Sequence, residues 1–238
     1  MVIILRSVLF LIVFNLVTVF HATLSLLVAP FLRYPQRFRF VVLLNHFVVW
    51  WFRVACGVRY EIEGLENLPK GRAFIIVCNH QSQWETFYLQ TVVTPLCTVL
   101  KKELLSIPFF GWALALINPI AIDRSLKTNA LKQIVSQGKE RIAAGVSVLI
   151  FPEGTRVEPG SDSKFSKTGA FLAKNTGTPV VPVAHNAGER WPKRGLIKKP
   201  GVLRLVVGEA IESKNRSTDE LYQISTAWIE SQREVLKD

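Results

Sequence analysis

The residues best equipped for chemistry follow a short apolar run, Ala73-Phe74-Ile75-Ile76-Val77-Cys78, in the segment Asn79-His80-Gln81-Ser82-Gln83-Trp84-Glu85-Thr86. An imidazole with an ordinary pKa of about 6.5 can take a proton from an alcohol at neutral pH, provided that a second group fixes its tautomer. Glu85, five positions after His80, can fold back to do this. The same carboxylate completes the pattern Ser82-Gln83-Trp84-Glu85, a capping box in which it would bond backbone N–H groups at a helix start. The two roles compete for it unless its two oxygens divide the work. Ser82 is a poor nucleophile, because no nucleophile-elbow glycines surround it.

Cations gather in three further segments. In Phe151-Pro152-Glu153-Gly154-Thr155-Arg156, Gly154 allows a tight turn or a close approach to a ligand, and Arg156 offers a planar, permanently charged fork suited to phosphate. Arg124, in Ile122-Asp123-Arg124-Ser125, can converge with it. Lys101-Lys102-Glu103-Leu104, followed by Ile107-Pro108-Phe109-Phe110-Gly111-Trp112, places cations beside an aromatic turn. Lys193, Arg194, Lys198 and Lys199 read either as a solvated loop or as a face for anionic lipid or an acidic carrier protein. His185, near Asn186 and Gly188, reads as structural.

Buried strands must carry these groups: 73–78, 118–122, 146–151 and 179–184 are short apolar runs. Helices are expected over 128–144, with a stripe of Leu131, Ile134, Val135 and Ile142 and with Gln133 facing away, and over 217–237, opened by a capping box from Ser217 to Glu220. Alternating strands and helices predict an α/β domain, its mixed, largely parallel sheet flanked by helices. In such sheets ligands bind beyond the carboxyl ends of the strands, where His80 and Arg156 stand.

The amino terminus is different in kind. Ser7 to Leu32 is a run of 26 residues without a charged side chain, and as a helix it exceeds the roughly 30 Å bilayer core. Phe40–Phe52 is a second apolar stretch, too short at 13 residues to cross alone as a helix. Between them Arg33-Tyr34-Pro35-Gln36-Arg37-Phe38-Arg39 is expected to break the helix at an anionic surface. Residues 1–56 are therefore expected to be a helical membrane anchor, spanning or dipping into one leaflet, and 57–238 the α/β domain. With 29 Lys+Arg against 18 Asp+Glu, and no acid in the first 53 residues, the net charge of +11 favours an anionic partner. Helix-turn-helix, zinc-finger and RNA-binding signatures are lacking, so nucleic acid is not expected. Three scattered cysteines argue against a disulfide scaffold or a Cys-rich metal site.

Asn-His with an acid five residues after the histidine, Lys-Lys-Glu-Leu with Ile-Pro-Phe-Phe-Gly-Trp, Ile-Asp-Arg, Phe-Pro-Glu-Gly-Thr-Arg and Val-Val-Pro-Val, in that order over 60–211, resemble the 1-acyl-sn-glycerol-3-phosphate acyltransferases. The resemblance implies acyl transfer from acyl-CoA or acyl-ACP to the sn-2 hydroxyl of lysophosphatidic acid at the cytoplasmic face of the inner membrane, with no metal or other cofactor. It implies His80 as general base and Glu85 as its orienting carboxylate, although the family commonly has aspartate there. Gly154, Thr155 and Arg156 would form part of the glycerophosphate site, with Lys101 and Arg124 on the phosphate and Glu153 shaping the site. Another lysophospholipid or a lyso-ornithine lipid as acceptor, or a non-catalytic lipid-binding protein, are the competing readings.

Overall fold

The uncharged run near the amino terminus forms one unbroken helix, α1 (Val2–Val28), in the computed structural model, which describes residues 1–123, 127–161 and 164–237. A 3-10 turn at Ala29–Phe31 and extended backbone at Leu32 and Arg33 lead into α2 (Tyr34–Cys56). The expected break between the apolar stretches is present, but it falls at 29–33 and takes in only Arg33 of the arginine-rich stretch. Pro35 sits in the first turn of α2, where its missing N–H costs nothing and its fixed φ suits a helix, so Arg37 and Arg39 are helical. The second apolar stretch accordingly belongs to a helix of 23 residues, long and apolar enough to cross a bilayer. His21 Nε2 lies 3.1 Å from the Phe40 carbonyl and ties the two helices together.

Gly57, in the left-handed conformation that ends α2, turns the chain into the sheet. Seven strands among the described residues lie in the order β1 (Val58–Glu63), β7 (Gly201–Val207), β6 (Val180–His185), β2 (Ile75–Cys78), β5 (Ser147–Ile150), β3 (Leu96–Lys101) and β4 (Ile120–Ile122). Only β6 and β7 pair antiparallel. The sheet is mixed and largely parallel, as expected. The helices of the body are α3 (Trp84–Val92), α4 (Phe110–Ala115), α5 (Lys127–Ala143), α6 (Thr168–Thr176), α7 (Ala187–Arg190) and α8 (Thr218–Val235). The Ser217–Glu220 capping box forms in full at the start of α8. On α5 the buried stripe is narrower than expected: Ile134 is buried, Leu131 is exposed, and Gln133 turns inward to accept the Asp123 N–H.

Alternate residues of the central strands feed two apolar layers. Ile76, Cys78, Leu149 and Val183 pack with Phe10, Phe38, Val42, Phe52, Trp84 and Leu89, so one face of the sheet lies under the amino-terminal hairpin and α3. Ile75, Val77, Val148 and Ile150 pack with Ile134, Leu172, Leu221 and Ile229 of α5, α6 and α8. The hairpin is therefore a layer of the fold as well as an apolar surface. Phe10 is fully buried, its ring edge-on to Phe52 and Trp191 at 5.4 and 5.0 Å. Asn45 donates to Gln90 Oε1 at 2.8 Å, and Ser7 Oγ accepts the Lys198 N–H at 2.8 Å. Lys198 thereby departs from both readings of the basic loop: it is buried, with its ammonium over the Trp191 ring and donating to the Gly195 and Leu196 carbonyls.

Because Phe10 joins the hairpin to the body, Phe10→Ala is expected to destabilise the detergent-solubilised protein by about 3 kcal/mol. Denaturant unfolding followed by tryptophan fluorescence checks this. An unchanged midpoint would mean that the hairpin adds nothing to the fold.

Candidate active site

The parallel strands deliver their carboxyl ends to one edge of the sheet, and the chemistry-bearing residues stand there. Asn79 and His80 follow β2 directly, and Glu85 lies in the first turn of α3. His80 Nδ1 is 2.8 Å from Glu85 Oε1. A carboxylate accepts only, so the proton sits on Nδ1 and the Nε2 lone pair is available. Nε2 has no hydrogen-bond partner among the described residues, and the side chain keeps 19% of its surface exposed. The ring stacks on Phe151, with centroids 3.8 Å apart and planes 15° from parallel.

Glu85 is completely buried, and its Oε1 also accepts the N–H groups of Gln81 at 3.0 Å and Ser82 at 2.8 Å. The two roles set in competition by the sequence are thus filled together by one oxygen, not divided between two. Oε2 takes no hydrogen bond among the described residues. The capping box is incomplete, since Ser82 Oγ accepts from the Trp84 N–H instead of that of Glu85. Burial opposes the charge on Glu85, but the hydrogen bonds from the His80 ring and the Ser82 amide outweigh it and hold the carboxyl below the usual carboxylate range.

The loop after β5 closes on His80 from the other side. Glu153 Oε1 accepts the His80 N–H at 3.1 Å, and the Val157 N–H donates to the His80 carbonyl at 2.8 Å. Gly154 has φ 68°, yet a Cβ there would touch nothing within 4 Å. The glycine answers to backbone conformation and not to crowding. Thr155 is exposed; Arg156, next to Val157, is half-buried and takes no ion-pair partner among the described residues. Burial pushes the Glu153 carboxyl up to about 7, against the pull of its own amide and that of His80.

His185, at the end of β6, braces this arrangement from beneath. Its backbone N–H and carbonyl each exchange a 3.0 Å hydrogen bond with the side chain of Asn79. Its Nδ1 accepts the Ala187 N–H at 3.1 Å, so the proton sits on Nε2 and is donated to the Asn79 carbonyl at 2.7 Å. Burial lowers the pKa of His185 and keeps the ring neutral, 3.8 Å from Glu85 Oε1. His185 is thus bonded into the fold, and what it holds is the strand end that carries His80. Asn79 and Phe151 were visible only as neighbours of His80 and Glu153 within their motifs.

The geometry therefore gathers His80, Glu85, Glu153, Gly154, Thr155 and Arg156 around one strand edge. Lys101 ends β3, two strands from β2 on the same edge, and is exposed. Arg124 lies outside the described residues. A base with a free lone pair, a buried counter-charge and an arginine in the adjoining loop can activate a hydroxyl on a molecule bearing an anionic group.

The family model described as Acyltransferase matches residues 59–186. The 1-acyl-sn-glycerol-3-phosphate acyltransferase of Pseudomonas aeruginosa is 49% identical over 228 residues, which cover 94% of this chain and 88% of that protein. The enzyme of the same name from Saccharomyces cerevisiae is 30% identical over 192 residues, 78% of this chain and 62% of its own length. The crystal structure of the 1-acyl-sn-glycerophosphate acyltransferase PlsC from Thermotoga maritima superposes with a TM-score of 0.77 at 25% identity, covering 96% of this chain and 95% of that one.

Glu153 generates a pH-dependent stability. A carboxyl raised to about 7 in the folded chain contributes stability that is fully present below the unfolded pKa of about 4.5 and is lost as pH rises through 7. Glu153→Gln removes this dependence. Between pH 5 and 8 the wild type should lose on the order of 2–3 kcal/mol relative to the variant in denaturant titrations. Parallel pH profiles would contradict the perturbed titration.

Proposed function

Since the chain belongs to the 1-acyl-sn-glycerol-3-phosphate acyltransferase family, we propose that it transfers a fatty acyl group from acyl-CoA or acyl-ACP to the sn-2 hydroxyl of 1-acyl-sn-glycerol 3-phosphate, giving phosphatidic acid. The observation that carries this reading is the buried Glu85 carboxylate on His80 Nδ1, which leaves Nε2 as the accepting atom. Nε2 takes the hydroxyl proton as the oxygen attacks the thioester carbonyl, and Glu85 stabilises the imidazolium that forms. Collapse of the tetrahedral intermediate expels the thiolate, which recovers the proton from Nε2. The acyl group passes directly between the two substrates, without an acyl-enzyme. A thioester is already activated, so the chemistry calls for no metal or redox cofactor.

Arg156, Arg124 and Lys101 hold the phosphate, and the turn at Gly154 and Thr155 brings the backbone close to it. Glu153 acts through the His80 N–H and away from the phosphate, whose charge it would repel. The body is held at the membrane by the hairpin. One side of α1 is a run of exposed apolar side chains, among them Leu5, Leu9, Ile12, Leu16 and Phe20. Its other side holds the buried Ser7, Phe10, Thr18, Ala22 and Ser25, packed on α2 and α4 and bonded through Ser7 to Lys198 of the body. A helix tied down in this way favours dipping into one leaflet over crossing, on the cytoplasmic face of the inner membrane. Both substrates have acyl chains that partition there.

The test is turnover of purified full-length protein with lysophosphatidic acid and a labelled acyl thioester. His80→Ala is expected to lower it by 10²–10⁴-fold or more in a chain that still folds, as far-UV circular dichroism would show. No phosphatidic acid from the wild type with either donor, or undiminished turnover in the variant, would overturn the reading. Glu85→Gln, which keeps most of the hydrogen bonds but removes the charge, should reduce kcat by about 10²–10⁴-fold. Arg156→Ala should raise KM for lysophosphatidic acid about tenfold or more, the loss of a charge-assisted bond, and affect monoacylglycerol far less. Equal losses with both acceptors would remove Arg156 from the phosphate.

A further inference from the structure

We propose that the segment from Lys102 to Ala115 is a second membrane-contact element, whose exposed apolar side chains enter the same lipid surface as α1. The inference rests on the reading of α1 as the membrane-facing helix and adds a wedge from the body to it.

Four large apolar side chains are exposed within nine residues: Leu104, Ile107, Phe109 and Trp112, at 37, 43, 39 and 47%. Clusters of this kind mark contact surfaces, whereas single exposed apolar residues do not. The backbone of the segment is closely packed on itself. Gly111 approaches the backbone so closely that a Cβ would sit 2.3 Å from the Leu104 carbonyl oxygen. Phe109 has φ 60°, a conformation disfavoured for an aromatic residue, and its ring lies 5.7 Å from that of Trp112. Strain of this kind persists where the surroundings enforce it and is concentrated at functional segments.

The choice of occupant follows from position and chemistry. Trp112 lies on α4, which packs against α1, so the patch continues a surface that is already apolar. At the other end of α1, Leu196 and Ile197 are exposed beside Lys198, whose N–H bonds Ser7. Lys101 and Lys102 are exposed at the base of the wedge. Aromatic rings with lysines behind them suit the boundary between acyl chains and anionic headgroups. The wedge follows β3, whose end shares the sheet edge with His80, so its insertion would fix the height of the site above the lipid.

The experiment compares the full-length wild type with Phe109→Gly/Trp112→Gln, in which glycine suits the positive φ, and with Leu131→Gln on α5 as a control. Co-sedimentation uses vesicles of phosphatidylethanolamine and phosphatidylglycerol. Turnover is measured with long-chain lysophosphatidic acid in those vesicles and with a hexanoyl acceptor dissolved below its micelle concentration. The double variant is expected to bind vesicles about tenfold more weakly and to lose long-chain turnover in proportion, with hexanoyl turnover changed less than about twofold. The control should match the wild type on every measure. Unchanged vesicle binding in the double variant overturns the wedge and leaves the role of α1 standing. A wild type that ignores vesicles overturns both. Equal loss with both acceptors, or a wild-type dimer that the substitutions dissociate, overturns the lipid assignment in favour of a structural role or a second copy.

Discussion

An ionised carboxylate with none of its surface exposed survives only if its charge is met, and the strand edge is organised around meeting that of Glu85. Three donors converge on its Oε1: the His80 ring and the amides of Gln81 and Ser82. Leaving such a group unpaired would cost several kcal/mol. The requirement therefore fixes the path of residues 80–85 as firmly as it fixes the ring. The imidazole cannot leave Glu85 without stranding a buried charge, and this keeps Nε2 directed at its task. His185 extends the same constraint one strand further, holding Asn79 at both its side chain and its carbonyl while remaining neutral.

The residues at this edge act on His80 from different elements. Phe151 supports the ring face, Glu153 takes the backbone N–H, and Val157 supplies the carbonyl with a donor. Every polar group of His80 except Nε2 is thus engaged. The anion-binding candidates, Arg156 in the same loop and Lys101 on β3, take no ion-pair partner among the described residues. The division between fully committed positioning groups and uncommitted cations is the electrostatic plan of the site.

Much of this was legible because the relevant signals are local. Continuous apolar runs gave β2, β5 and β6, and Ser217 with Glu220 gave the start of α8. The His80–Glu85 pairing followed from spacing at a strand-to-helix turn. What was missed depends on distant partners. Val58–Glu63 and Gly201–Val207 mix charged and apolar residues, and they become strands by pairing with each other along the whole of β1. Leu96–Lys101 gains its place between β5 and β4 from neighbours far along the chain. Lys198 looked like any solvated lysine until the Ser7 contact, 191 residues away, buried it. The break between α1 and α2 lies earlier than expected because Pro35, read as ending a helix, begins one. The role of His185 was hidden because its partners, Asn79 and Glu85, are about a hundred residues upstream.

The sharing of one apolar layer between the hairpin and the sheet has a consequence for how the chain can be handled and how it matures. Cutting at Gly57 would not release a water-soluble catalyst. It would bare the side of the sheet carrying Ile76, Leu149 and Val183, together with Trp84 and Leu89 of α3, and create a sticky surface where the anchor had lain. Biogenesis faces the same coupling. Helices α1 and α2 are made before β5 and β6, so the apolar side that they share with those strands stays uncovered until the body of the chain follows.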